Sequence, residues 1–458
     1  MKKKGIAIIN IVGLVDHHLG PATESLNPLI QEKRKLKTIC PAVTCSVQAS
    51  ILTGLLPSQH GIVGNGWYFR ELAQVWLWRQ SNYLIHGPKF WDIAKEKNPE
   101  LKVAKLFWWF NMYSTADISV TPRPSYLANG RKIPDIYTRP KDLREKLQSE
   151  LGPFPLFHFW GPKADIISSE WIAKAAKQVY LEYKPHINLV YLPHLDYNLQ
   201  RLGPQGDIEK DIQEICKIAG DLVEFYASHD VESIILSEYA ILPVSRPVHI
   251  NRALREEGLL EVHHNYCGEL LDPGASLAFG VSDHQICHIY VKKEADIMRV
   301  KEVVQNLPGV AEVLDREEQK NWGLNHSRSG ELIALAEKDS WFTYYYWLDD
   351  QNAPDFARTV DIHQKPGYDP AELFLDPKLS KWKILSKIAL KKAGFATVMD
   401  FIPLDATLVK GSHGLPTTSP SPMPILLTNF NHNLPDPIAV TDLKDFFLQR
   451  ISLLTDVP

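Results

Sequence analysis

Four short, almost wholly apolar runs, separated by helical patterns, constrain the fold of this chain more than any other feature. The runs cover residues 6–15, 103–109, 186–192 and 233–236. A run that is apolar throughout is typical of a parallel strand with both faces covered by helices. Helical patterns, for example at residues 169–183 and 207–228, lie between the runs. This alternation predicts an α/β fold: a mostly parallel central sheet with helices on both faces.

The sequence pattern changes near residue 288, which predicts a second, smaller unit. Residues 288–291, 310–314 and 329–335 read as strands and residues 294–307 as a helix. We expect an inserted α+β cap at residues 288–340, between core segments at residues 1–287 and 341–458. The aromatic run at residues 341–347 fits core packing between cap and sheet, with a surface that stacks on substrate as the alternative.

Charge and cysteine content exclude several classes of protein. The formal net charge of -4 argues against a broad nucleic-acid-binding surface. The five cysteines are scattered and form no CxxC pair, which is typical of reduced thiols and predicts a cytoplasmic protein. The apolar run after the N-terminal lysines is short and reads as a strand rather than a signal peptide, and no run is long enough for a membrane span.

A hydroxyl residue precedes the first helix of the chain. Thr44 starts a small-residue segment that ends at Thr53-Gly54-Leu55-Leu56-Pro57, and His60-Gly61-Ile62-Val63-Gly64-Asn65 follows. Unpaired backbone N–H groups and the positive end of the helix dipole favour an anion there, such as a phosphoryl group. The alternative is that Thr44 serves only as a helix N-cap.

The segment from Cys40 to Asn65 resembles the nucleophile region of the alkaline phosphatase superfamily, in its nucleotide pyrophosphatase/phosphodiesterase (type I phosphodiesterase) branch. The resemblance implies an alkaline-phosphatase-like fold, with Thr44 as nucleophile and Asn65 holding a phosphate oxygen. Asp196, followed by Gly203-Pro204, matches the Asp of the Asp-x-x-x-His metal motif of that family. His413, in Lys410-Gly411-Ser412-His413-Gly414, matches the C-terminal His ligand.

The same resemblance implies two divalent metal ions, with zinc the expected element, yet several ligands depart from the pattern. Val12 stands where the family has its first Asp, Gln200 replaces the His of the motif, and Glu238-Tyr239 replaces Asp-His. One metal position would keep Asp196 and His413 with Gln200, and the other Thr44 with Glu238 and Tyr239. We expect one tightly held ion and a doubtful second site.

Other residues could complete such a site. The candidates for additional metal ligands are His194, Asp283, His284, Asp361 and His363, and the candidates for binding substrate phosphate are Arg201 and Arg246. For each of them a solvated surface role is the simpler reading.

The predicted function is metal-assisted hydrolysis of a phosphodiester or pyrophosphate-type bond in a small phosphorylated substrate, through the Thr44 hydroxyl. Two alternatives remain open from the sequence. The lost ligands fit a non-catalytic protein that binds a phospho-ligand. Transfer of a phosphoryl or phosphate-ester group to another acceptor would use the same covalent intermediate.

Overall fold

Two larger sheets organise the chain, and the computed structural model describes residues 4–361, 365–395 and 397–455. In chain order their strands are β1 (Gly5–Ile11), β2 (Glu32–Lys37), β3 (Val103–Leu106), β4 (Ile118–Pro122), β5 (Ile136–Arg139), β6 (Ile187–Leu192), β7 (Val231–Leu236), β8 (Ala278–Asp283), β9 (Ile286–Val291), β10 (Val310–Leu314), β11 (Leu332–Ala336), β12 (Ile425–Thr428) and β13 (Ile438–Ala439).

Nine of these strands form the central sheet, in the order β13-β2-β12-β7-β1-β6-β3-β4-β5. The five neighbours from β7 to β4 run parallel to one another. In the register of the sheet Ile6 lies opposite Ile187 and Gly5 opposite Val231. Every residue of β1, β6 and β7 is buried, which explains why their sequences are nearly continuous apolar runs.

Helices surround this sheet. They are α1 (Thr44–Thr53), α2 (Pro57–His60), α3 (Phe90–Lys97), α4 (Leu143–Leu151), α5 (Ile166–Tyr183), α6 (His194–Leu202), α7 (Glu209–Ser228), α8 (Ile250–Glu256), α9 (Ile297–Gln305), α10 (Glu318–Asn321), α11 (Lys381–Lys392) and α12 (Leu443–Thr455). Helices α5 and α7 pack on each other and against β6 and β7, whereas α1, α3 and α12 form a second group. The predicted α/β class, with helices around a mostly parallel sheet, is confirmed.

The second sheet has four antiparallel strands in the order β8-β9-β11-β10, and α9 packs on it. A separate hydrophobic core lies around it and includes the buried aromatic side chains from Trp341 to Trp347. Core packing therefore accounts for that aromatic run. The sheet begins at Ala278, and the division into a core and a cap at residues 288–340 stays a prediction.

Short two-stranded pairs connect the loops around these sheets. They are Gly66–Phe69 with Gln74–Leu77, Ser125–Tyr126 with Lys132–Ile133, Leu242–Pro243 with Gly411–Ser412, Arg246–Val248 with Ser340–Phe342, and Val262–Asn265 with Gly268–Leu271. The third pair matters for the site, because it places the segment just before His413 beside the segment that follows Tyr239.

The cysteines and the helices bear on the expected compartment. All five cysteines are free, and Cys267 is the exposed one. Among the described residues, no helix combines the length and the apolarity that crossing a membrane requires.

Candidate functional site

The carboxyl ends of β6 and β7 and the start of α1 meet at a small pocket of about 40 Å³. In a parallel sheet this is the edge where ligands bind. Polar side chains from five separate segments line the pocket: Thr44, Asp196, Tyr239, His284 and His413. Three of them, Thr44, Asp196 and His413, were predicted to converge and do so across more than 360 residues of sequence.

Thr44 is the first residue of α1, and its hydroxyl points toward Tyr239. The N-cap position belongs to Val43, and no side chain caps this helix end. Thr44 is therefore not the N-cap that the sequence left open as an alternative. The residue is 3% exposed, and its Oγ1 lies 3.0 Å from the Tyr239 hydroxyl. A buried hydroxyl aimed at a pocket, with no helix-capping task, is available for chemistry.

Tyr239 and two histidines form a stack beside Thr44. The Tyr239 and His413 rings are 3.9 Å apart and nearly parallel, and the His284 ring lies 3.8 Å from that of His413 on centroids. The His413 Nδ1 donates to the Ala42 carbonyl at 2.8 Å, so Nε2 keeps its lone pair. Burial lowers the pKa of His413 to about 3, so the imidazole is neutral at physiological pH and able to act as a ligand.

Asp196 and Gln200 lie one turn apart on α6, on the same face of the helix. Both are buried, and the Asp196 Oδ1 and both amide atoms of Gln200 have no hydrogen-bond partner among the described residues. Burial raises the pKa of Asp196 to about 7, against the opposing influence of the neighbouring Gln200 and Tyr239 side chains. Polar atoms left unpaired in a buried position are costly, so a ligand or ion is expected to satisfy them.

Glu238 follows β7 and is not among the residues that line the pocket, and its Oε2 has no hydrogen-bond partner among the described residues. Its Oε1 accepts hydrogen bonds from the side-chain amides of Asn10 and, at 2.6 Å, Gln48. The residue is fully buried, and this burial raises the pKa of the carboxyl to about 8. Glu238 therefore links β1, α1 and β7 beneath the pocket in a largely protonated form near neutral pH.

We predict that Glu238→Gln stabilises the protein at alkaline pH. The pKa of about 8 in the folded protein lies above the ordinary glutamate value of 4.5, so the stability that Glu238 contributes is fully present below pH 4.5 and is lost as pH rises through about 8. Glutamine keeps an acceptor oxygen for Asn10 and Gln48 and does not titrate. Chemical unfolding at pH 5 and pH 9 measures the effect, and a variant less stable than wild type by the same margin at both values contradicts it.

Asn65 belongs to a hydrogen-bonded network next to the pocket. Its Oδ1 accepts from the Cys45 backbone N–H at 2.9 Å, and its Nδ2 donates to Asp283 Oδ1 at 3.0 Å and to the Tyr368 hydroxyl at 3.1 Å. Asp283 also accepts from the Asn65 backbone N–H at 2.7 Å, and burial raises the pKa of Asp283 to about 6. In this arrangement Asn65 ties the first turn of α1 to the end of β8.

The remaining predicted residues lie outside the pocket. His194 faces α7, and Asp361 accepts from the Tyr126 hydroxyl at 2.9 Å and lies 3.5 Å from the Lys132 ammonium. The Arg201 guanidinium donates to the carbonyls of Leu373, Ala164 and Gly161, and Arg246 pairs with Glu337. His363 lies outside the described residues.

Aromatic side chains that the sequence analysis did not assign to the site complete the pocket wall. They are Trp78, Trp109, Phe159, Trp160, Tyr191, Tyr197 and Tyr368. For two of them the sequence position could have indicated the site, since Trp109 and Tyr191 stand at or near the end of a predicted strand. The indole nitrogens of Trp78 and Trp109 are buried donors that have no hydrogen-bond partner among the described residues. They can donate to an anionic ligand.

The residues at this pocket depart from the ligand set of a two-ion centre. Val12 is buried and apolar, the Tyr239 hydroxyl lies against Thr44, and Glu238 faces Asn10 and Gln48. Within the described residues, the one group of three His, Cys, Asp or Glu side chains whose ligand atoms converge lies elsewhere. Asp196 and Gln200 carry oxygens that are unpaired among the described residues, which suits a cation beside them, and the Glu238 Oε2 is unpaired as well.

A larger groove adjoins the pocket, with Trp78 lining both. Its volume is about 1160 Å³, and four basic side chains line it: Arg79, Arg123, Lys141 and Arg144. Arg79 lies 3.6 Å from the centroid of the Trp76 ring, and Arg144 pairs with Asp135 at 2.7 Å. The combination of rings and cations is typical of a surface that binds planar, negatively charged ligands.

Comparison with known proteins adds a family and two sets of structural relatives. The family model described as type I phosphodiesterase / nucleotide pyrophosphatase matches residues 6–369. Phosphonoacetate hydrolase from Sinorhizobium meliloti 1021, in complex with phosphonoformate, is 13% identical with a TM-score of 0.59, and the match covers 98% of this chain and 96% of that one. Among curated proteins, no sequence matches this chain.

The second relative is murine ectonucleotide pyrophosphatase/phosphodiesterase 5, at 13% identity and a TM-score of 0.58, over 99% of this chain and 96% of that one. An inactive form of it in complex with AMP gives a TM-score of 0.59. At such low identity these likenesses establish the fold. They confirm the predicted alkaline-phosphatase-like architecture.

Proposed function

Because this chain belongs to the type I phosphodiesterase/nucleotide pyrophosphatase family of the alkaline phosphatase superfamily, we propose that it is a hydrolase of phosphodiester or pyrophosphate-type bonds with Thr44 as nucleophile. The observation that carries the proposal is the convergence of Thr44, Asp196 and His413 on one pocket. The geometry of Thr44 supports its role, since the hydroxyl is buried, borders the pocket and caps no helix.

The family generally depends on divalent metal ions, typically zinc. In this chain we assign one ion to Asp196, His413 and the amide oxygen of Gln200. Carboxylate, imidazole and amide donors suit zinc or a similar ion. When bound, the ion would supply positive charge that stabilises charge developing on the phosphoryl oxygens.

The protein's own residues orient the nucleophile and exclude water from the pocket. The hydrogen bond to Tyr239 holds the Thr44 Oγ1 in one direction, so that a lone pair can face phosphorus. Attack forms the Oγ1–phosphorus bond and breaks the bond to the leaving oxygen, and the proton of the Thr44 hydroxyl ends on that leaving oxygen. Water then cleaves the phosphothreonine and returns the proton to Thr44. The aromatic wall of Trp78, Trp109 and Trp160 limits entry of bulk water.

The size of the two cavities supports a small substrate with a bulky substituent. The pocket of about 40 Å³ admits little beyond the group that reacts. The adjoining groove of about 1160 Å³ can hold the remainder, such as a planar base with further phosphates. The five free thiols support a cytoplasmic location as part of this proposal.

One observation favours a non-catalytic role as the second candidate. Tyr239 occupies a position where the family pattern has a ligand, and its hydroxyl lies 3.0 Å from the nucleophile candidate. A protein that kept the pocket but not the metals would bind phosphate compounds without cleaving them. Group transfer would keep the phosphothreonine and differ only in the acceptor.

The test measures turnover of three substrates, which are bis-p-nitrophenyl phosphate, p-nitrophenyl phosphate and a nucleoside triphosphate. Each is assayed with added zinc and with chelator. We expect turnover of the diester or the triphosphate to exceed that of the monoester and to fall with chelator. Saturable AMP binding without turnover of any substrate would favour the binding protein. Product trapped on an added alcohol would identify transfer.

A further inference from the structure

Behind the pocket, the start of α6 faces the first turns of α7 through three potential ligand side chains. They are His194, the first residue of α6, and Asp211 and Glu214, three residues apart on α7. Their ligand atoms all lie within 4.8 Å of one another. Residues three apart share a helix face, so both carboxylates point toward His194.

Two of the distances between these ligand atoms are compatible with a coordination site. His194 Nε2 lies 3.1 Å from Asp211 Oδ1 and 3.7 Å from Glu214 Oε2. Metal–ligand bonds of roughly 2.0–2.2 Å in tetrahedral arrangement separate neighbouring ligand atoms by about 3.4 Å. The two measured distances bracket that value.

The burial of the His194 side chain independently supports a bound ion. The residue is 3% exposed, and neither ring nitrogen has a well-aligned hydrogen bond among the described residues, although a carboxylate oxygen lies near Nε2. A buried imidazole without such a bond is costly. An ion between the three side chains would satisfy its Nε2 lone pair.

The surroundings supply what a bound ion needs. The Asn198 amide donates to both oxygens of Asp211, at 2.9 and 3.1 Å, and so fixes the orientation of that carboxylate. The side chain of Glu214 is 35% exposed, which leaves water access for a fourth ligand. Lys210, 3.5 Å from Glu214, is a solvent-exposed competitor for that carboxylate.

We propose that His194, Asp211 and Glu214 bind a divalent cation of the zinc type that ties α6 to α7. One imidazole and two carboxylates are a donor set suited to such an ion. The site is separate from the pocket, because His194 and Asp196 lie roughly 200° apart around the axis of α6. It does not depend on the proposed hydrolase activity.

The experiment measures zinc bound to the full-length protein after equilibration with zinc and removal of excess. Glu214→Gln and Asp211→Asn are expected to carry one equivalent fewer than wild type. Glu224→Gln, an exposed acid on the same helix, is the matched control and should keep the wild-type content. Zinc should raise the melting temperature of wild type by a few degrees more than that of Glu214→Gln.

Anomalous X-ray scattering at the zinc edge locates the ion directly. A peak between α6 and α7 supports the proposal. The proposal fails if no peak appears there, or if Glu214→Gln binds as much zinc as wild type. Asp196→Asn separates the two sites, since it should retain this ion even if the pocket binds none.

Discussion

Thr44→Ala is expected to lose at least on the order of a thousand-fold in phosphodiester turnover, because the bond-forming oxygen is removed. Folding should persist. Val43 holds the N-cap position, so the substitution removes no capping bond from α1. The loss is limited to the hydrogen bond with Tyr239, which is worth roughly 1–3 kcal/mol when one buried partner is left unpaired.

Thr44→Ser is the matched variant, since it keeps the hydroxyl and drops one methyl group. It should retain activity within about tenfold of wild type, with release of the chromogenic product as the measurement. Turnover of Thr44→Ala at the wild-type rate would exclude Thr44 as nucleophile. Equal losses in both variants would instead indicate that packing at this position, and not the oxygen, supports activity.

The sheet and the meeting of distant residues could be predicted from the sequence for one physical reason. Strands buried on both faces are apolar throughout, so β1, β6 and β7 were recognisable, and the carboxyl ends of parallel strands share one edge. Residues that follow β6 and β7, such as Asp196 and Tyr239, were therefore expected near Thr44. The pocket contains both.

The direction in which each side chain points was harder to predict, because it depends on where a helix or strand begins. His194 would share a face with Asp196 in an extended segment, yet α6 starts at His194 itself. His194 therefore lies outside the pocket and faces α7. Asp283 and His284 also diverge, with Asp283 bound to Asn65 and His284 lining the pocket, although both were read as one pair.

Hydrogen-bond partners that are distant in the sequence account for the other differences between the predicted and the observed side-chain positions. Glu238 follows β7 as expected, but Asn10 and Gln48 draw its carboxylate beneath the pocket. The Arg201 guanidinium donates its hydrogen bonds to backbone carbonyls, so it is not free to bind phosphate. Neither partner set is visible in local sequence, because the residues lie up to 228 positions apart. The placement of the family's ligand positions on this chain thus needed the structure.

Asp196→Asn should remove both one metal equivalent and most of the activity. Asp196 brings the sole carboxylate of the assigned ligand set, and its Oδ1 has no hydrogen-bond partner among the described residues. Neutral asparagine binds a divalent cation far less well than a carboxylate. The loss of several kcal/mol of charge stabilisation in the transition state corresponds to roughly a thousand-fold in rate.

Asp221→Asn, an exposed acid on α7, is the control for a change of one charge and should match wild type in rate and metal content. Elemental analysis and turnover are measured on the same preparations. If Asp196→Asn binds as much metal as wild type but is inactive, Asp196 acts on the substrate directly. If it is fully active, the pocket is not the catalytic site, because its buried carboxylate would then contribute nothing to the rate. A drop in both quantities, with the ion between α6 and α7 retained, places one catalytic ion in the pocket beside Thr44.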